Sequence, residues 1–188
     1  MRVRFVPLSM VLVVTLVMVL GVIFVLLGTS SAASQYPIEV IPKVNVETGG
    51  SLSITGGTVN GNQIDFGSMG PGQTLEKTLS LGITANDEWH LIVSKNKDLE
   101  DSALSATIPS ANFTFKSNGD SGPTYVTSST EFGTSGSASN VVTNGSATSG
   151  SNVNVVYRLV IPADQLCSNP GSDYYAAVHT YTLIVGSP

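Results

Sequence analysis

Val153-Asn154-Val155-Val156-Tyr157-Arg158-Leu159-Val160-Ile161 is the cleanest alternating run in the chain. Val153, Val155, Tyr157, Leu159 and Ile161 fall on one side, and Asn154, Val156, Arg158 and Val160 on the other. A period of two is that of a strand with one buried face. Pro162 ends the run. Working outward, the same pattern recurs. Leu79, Leu81 and Ile83 alternate with Ser80 and Gly82; Trp89, Leu91 and Val93 alternate with His90 and Ile92; Phe113 and Phe115 flank Thr114. Residues 174–185 form a last strand ending at Gly186. Turn signals separate these runs, notably Thr48-Gly49-Gly50, Gly56-Gly57 and Gly70-Pro71-Gly72. In the N-terminal part, residues 38–46 are β-rich, and Pro42 there predicts an edge strand or a break. The pattern gives eight to ten strands and no amphipathic helix. It predicts an all-β fold, an antiparallel Ig-like or Greek-key sandwich, with a closed barrel as the competitor. Residues 95–105 read as one helical turn or an exposed loop. Residues 117–152, dominated by Ser, Gly, Asn and Thr, read as long surface loops with a weak hairpin.

Ahead of these strands lies a different kind of sequence. Arg2 and Arg4 precede an apolar run of 18 residues, Met10 to Leu27, and then Thr29, Ser30, Ser31, Ala32, Ala33 and Ser34. Basic, apolar and small-residue regions in that order are the pattern of an export signal, with cleavage after Ala32 or Ala33. An uncleaved anchor helix is the other reading, since about 18 apolar residues suffice to span a bilayer. Residues 1–33 are therefore expected to be a signal peptide or membrane anchor, and 34–188 a single domain. Contact with a membrane is expected only through the N-terminal segment.

Composition limits what that domain does. Residues 34–188 carry six basic and thirteen acidic side chains, a net charge of −7, with 22 Ser and 16 Thr. An acidic, weakly charged surface does not attract phosphates, so nucleic acid is not an expected partner. Two histidines and one cysteine leave little for a metal centre, and no metal or cofactor is expected. His90 and His179 are the bases, each inside a strand, and both read as surface imidazoles. Asp87-Glu88 and Glu100-Asp101 are adjacent pairs and so point apart, unlike the converging carboxylates of a glycosidase. Gly67-Ser68-Met69-Gly70-Pro71-Gly72 lacks the Gly-Lys-Ser/Thr ending of a phosphate loop and reads as a turn. No catalytic residue is expected, and the protein reads as non-enzymatic. Asn112-Phe113-Thr114 and Asn144-Gly145-Ser146 fit the glycosylation sequon, which matters in a glycosylating host. Cys167 lies in a polar loop, either buried and inert or free to pair between chains. Trp89, the sole tryptophan, reads as a core anchor or as an exposed stacking ring.

Four stretches carry a resemblance. Ile64-Asp65-Phe66-Gly67, the Pro71-Gly72 turn, Trp89-His90-Leu91 and Tyr175-Ala176-Ala177-Val178-His179-Thr180-Tyr181-Thr182-Leu183 are similar to the WxL-type cell-surface domains of Gram-positive bacteria. Those domains carry one Trp-x-Leu in mid-domain and a second near the C-terminus. Trp89-His90-Leu91 stands at the first position; at the second, Tyr181-Thr182-Leu183 has Tyr for Trp. The likeness spans residues 60–188. It implies a secreted β-sandwich held non-covalently at the cell wall, with wall polymer or other surface proteins as partners. Trp89 and Tyr181 are then the candidate contact residues. The chain also resembles, more loosely, pilin-type and spore-coat-type sandwiches.

Two functions follow as expectations. One is an exported, non-enzymatic structural or binding protein of the cell surface or cell wall. The alternative is a pilus or fibre subunit that assembles with copies of itself, residues 34–46 completing a neighbour's sheet with Ile38, Val40, Val44 and Val46.

Overall fold

Twelve strands account for nearly all the regular structure in the computed structural model of the chain. It describes residues 36–46, 49–58, 63–165 and 175–186. The segment 1–33 and Cys167 lie outside the described residues. The strands are β1 (Tyr36–Val46), β2 (Gly50–Gly56), β3 (Ile64–Met69), β4 (Thr74–Ala85), β5 (Trp89–Lys95), β6 (Leu99–Asp101), β7 (Ala106–Ile108), β8 (Phe113–Gly119), β9 (Thr130–Glu131), β10 (Ala138–Gly145), β11 (Thr148–Val160) and β12 (Tyr175–Val185). One 3-10 turn, Ser110–Asn112, is the only helical element among the described residues.

Two sheets share one core. The first runs β10-β5-β12-β1-β3, with the small β6–β7 hairpin attached to β12; the second runs β2-β4-β11-β8-β9. The alternation read from the sequence sets their inner faces. Val153, Val155, Tyr157 and Leu159 of β11 are fully buried, as are Leu79 and Leu81 of β4, Leu91 of β5, and Tyr181 and Leu183 of β12. The opposite face of the second sheet explains the Ser, Thr and Asn content. Ser51 and Thr84 share a hydroxyl hydrogen bond of 2.7 Å. Ser80 Oγ donates to Asn154 Oδ1 at 2.9 Å, and Asn154 Nδ2 to Asn118 Oδ1 at 3.3 Å. These short polar side chains tie four neighbouring strands together on the outer face.

Several expectations need correction. The fold is all-β and two-sheeted, as expected, but not wholly antiparallel: β1 runs parallel to β12, from Ile38 opposite Tyr175 to Val46 opposite Leu183. Nor is β1 an edge strand or broken at Pro42. It lies between β12 and β3, and Pro42 is buried within it. The proline is tolerated because β3 pairing stops at Val40, which leaves one side of β1 without a ladder from there on. Residues 95–105 include β6, with Leu99 and Asp101 buried, rather than a helical turn. Asp101 Oδ1 accepts the backbone N–H groups of Ala103 and Leu104, which compensates its burial. Residues 117–152 are only partly loop. β10 is a full member of the first sheet, with Val141 and Val142 fully buried, and β11 begins at Thr148. A Ser/Gly-rich composition hid β10 because only two of its buried residues, Val141 and Val142, have apolar side chains and its pairing to β5 shifts register twice.

Candidate functional site

Each residue singled out from the sequence has a definite place. Trp89 heads β5 and is 2% exposed; its Nε1 donates to the Ser146 carbonyl at 2.8 Å. The indole packs on Gly145, where a Cβ would lie 2.0 Å from the ring. It therefore pins the turn between β10 and β11. Gly145→Ala must displace the indole, a cost of about 1–3 kcal/mol, read as a lower urea midpoint. Tyr181 is fully buried, and its hydroxyl meets that of Tyr157 at 2.6 Å across the two sheets. Burial raises the Tyr157 and Tyr181 hydroxyls above the usual phenol range, so this pair stays neutral. Neither Trp89 nor Tyr181 presents a ring to solvent. The expected surface contact by these two aromatics is thus replaced by a core role: both lie on the inward alternation of their strands.

His179 departs further from expectation. It is fully buried on the inner face of β12, not a surface imidazole, and neither ring nitrogen has a hydrogen-bond partner. Its ring lies 4.3 Å from that of Phe132, 5.5 Å from Phe113 and 5.6 Å from Tyr157, centroid to centroid. Burial, with a smaller contribution from the Lys95 charge, pulls its pKa down to about 3. Lys95 is itself 5% exposed, and its Nζ donates to Asp98 Oδ1 at 2.5 Å and to the Ser110 hydroxyl. The period-two pattern already put His179 in phase with Tyr175, Ala177 and Tyr181. That phase was the available signal, and residue type argued against it. His90 faces the other way and is half-buried. Together with Glu88, Asn140, Thr143 and Asn144 it lines an open depression of about 390 Å³ beside Trp89.

The donor candidates pack in their own domain. Ile38 and Val40 are fully buried, Val46 is half-buried and Val44 is 40% exposed. The two sequons differ. Asn144 is exposed on β10, whereas Asn112 is half-buried in the 3-10 turn, and the Thr114 hydroxyl of its sequon is occupied by Ser129 at 2.7 Å. Asp87 and Glu88 are exposed and adjacent in the turn before β5. Among the described residues, no group of three or more His, Cys, Asp and Glu side chains is placed to hold a metal ion.

What these residues do not form is a converging set of base, nucleophile and acid. What they do form is an unusual strand slot. Among the described residues every other strand pair is antiparallel; β1 makes the one parallel pair, inserted between β12 and β3. Because β3 is antiparallel to β1, it has the direction that would pair antiparallel with β12 if β1 were absent.

Comparison with known proteins adds little. No family model matches the chain, and no curated protein matches it. Among solved structures, a family 123 glycoside hydrolase from Clostridium perfringens, studied for glycolipid glycan hydrolysis, is similar at 9% identity with a TM-score of 0.31. The match covers 80% of this chain and 24% of the enzyme, so the chain spans about a quarter of that protein's length. A likeness at that level carries no argument about function.

Proposed function

We propose that this chain is an exported, non-enzymatic structural protein of the cell surface that assembles with copies of itself by trading β1. Export is supported by the basic, apolar and small-residue order of residues 2–34. The strand order is read as a Greek-key sandwich: β4 and β11 pair in one sheet while their successors β5 and β12 pair in the other. The observation that carries the reading is the placement of β1. It is the first strand among the described residues, and the chain leads on from it to β2. It can leave its slot without rethreading any other strand. The same strand from a second copy would make the same nine register pairs with β12 and seat Ile38 and Val40 in the same core.

The test is direct. A labelled synthetic peptide of residues 34–46 is mixed with the full chain recovered from an exporting host. Strand trading predicts slow, saturable incorporation of the peptide and none of a Val40→Asp version, whose carboxylate would have to enter the core. No incorporation after days at a concentration of tens of micromolar would overturn the reading.

A second reading, contact with wall polymer, is favoured by the depression beside Trp89. Its Asn140, Thr143 and Asn144 side chains offer amides and a hydroxyl suited to a neutral glycan. Retention on purified peptidoglycan that is lost in Asn140→Ala/Asn144→Ala would support it. The resemblance to WxL-type domains points to the same place, the outside of the cell, through that kind of contact.

A further inference from the structure

We propose that acid unlocks β1: His179 lies beneath that strand as a buried base that takes up a proton when the slot opens, so that a falling pH favours the exchange-competent state. The inference deepens the strand-trading reading and rests on it.

The geometry begins with what surrounds the imidazole. Within its own sheet His179 is the register partner of Pro42 on β1 and of Lys95 on β5. From the other sheet it meets Phe113, Phe132 and Tyr157. No acceptor for an imidazolium proton is among them. Pro42 supplies only carbon from its side chain, and Glu39 and Lys43 alternate to the outer face of β1. β8 and the residue following β9 contribute phenyl rings. Tyr157 of β11 has its hydroxyl engaged by Tyr181 of β12. Lys95 of β5 is a cation, held by Asp98 and Ser110. A second positive charge in this space is sealed from bulk solvent and meets no carboxylate among the residues named.

β1 is the cover that moves. On its other side β12 is held by β5 along seven register pairs, from His179 to Val185. β5 and β1 flank β12 on its two sides, and of the two it is β1 that comes first among the described strands and sets the buried Pro42 beside His179. With the slot open, His179 meets water from the Pro42 side and titrates as an ordinary imidazole, near 6.5. With the slot closed it titrates near 3. Between those values each pH unit shifts the closed-to-open ratio by up to about tenfold toward open. The full window amounts to about a thousandfold.

Native-state hydrogen exchange by mass spectrometry tests this on the full chain from an exporting host, with rates corrected for intrinsic pH dependence. The expected result is that residues 36–46 exchange faster than residues 153–160 of β11 at every pH, through an opening smaller than global unfolding, and that their protection falls by up to about tenfold per pH unit below about 6.5. In His179→Phe, which suits the aromatic surroundings, protection of 36–46 stays flat with pH; His179→Leu serves if that variant fails to fold. Flat protection of 36–46 in the unaltered chain overturns the proposal. So does equal protection of 36–46 and 153–160 at every pH, which would mean that β1 opens only with the whole domain. Peptide incorporation, measured at pH 7 and pH 4.5, separates this from the reading beneath it. Acid-dependent opening without incorporation sustains the unlocking and defeats strand trading. Equal incorporation at both pH values with flat protection defeats only the unlocking.

Discussion

Trp89→Ala lowers the stability of the domain by about 3–5 kcal/mol, the range for deleting a large buried aromatic. Urea unfolding followed by circular dichroism reads this as a lower midpoint at unchanged slope. Two losses combine. The indole is 2% exposed and fills the space above Gly145, and its Nε1 satisfies the Ser146 carbonyl at 2.8 Å. Truncation leaves a cavity at the end of the first sheet and frees the turn between β10 and β11. Trp89→Phe keeps part of the packing and loses the hydrogen bond, so it falls between the two. An exposed stacking ring would behave in the opposite way, with binding lost and the midpoint unmoved.

The second large effect is in the pH dependence of stability. His179 titrates at about 3 when folded and near 6.5 when unfolded. Above pH 6.5 it is neutral in both states and contributes no slope. As the pH falls below 6.5 the unfolded chain takes up a proton that the folded chain refuses, so stability is lost until about pH 3. The sum is about 4–5 kcal/mol, at about 1.4 kcal/mol per pH unit. Asp98 adds to the loss at the acid end, because its bonds to Lys95 and Ser110 outweigh its burial and hold it below the usual carboxylate range. That side chain is 38% exposed, so solvent screens it and its share is small. His179→Phe removes the slope between pH 6.5 and about 4, and raises stability at pH 7 by sparing two unpartnered buried nitrogens. Unfolding curves collected at half-unit pH intervals check both statements. A slope of equal size in the variant would assign the acid sensitivity elsewhere.

Alternation made the sandwich legible, and it failed where something other than alternation decides. β11 and β12 stand out in the sequence because every second residue along each is buried, most of them apolar. β10 does not, because two bulges break its register and Ser and Asn fill its outward positions. Pro42 suggested an edge, but a proline is excluded only where both sides of a strand carry a ladder, and β3 has ended before it. Parallel pairing of the first and last strands leaves no local sequence mark, since strand direction is set by distant connections. Trp89 and Tyr181 stand at the two motif positions of the resemblance, which implies a surface contact, whereas their phase with Leu91 and Leu183 places them inside. Ile38 and Val40, read as strand donors because they follow the apolar N-terminal run, are buried in their own domain as part of β1.

The central claim is that β1 belongs to a slot that another copy can fill. It is tested by light scattering after size-exclusion chromatography, on the full chain and on Lys43→Cys/Thr180→Cys in a Cys167→Ser background. Lys43 and Thr180 are register partners on β1 and β12, and neighbouring strands lie about 4.8 Å apart, a separation that a disulfide bridges. The unaltered chain is predicted to form species whose mass grows with concentration. The oxidised double variant is predicted to stay monomeric, and to assemble again once reduced. A monomer at every concentration, or equal assembly with β1 stapled in place, would contradict the account.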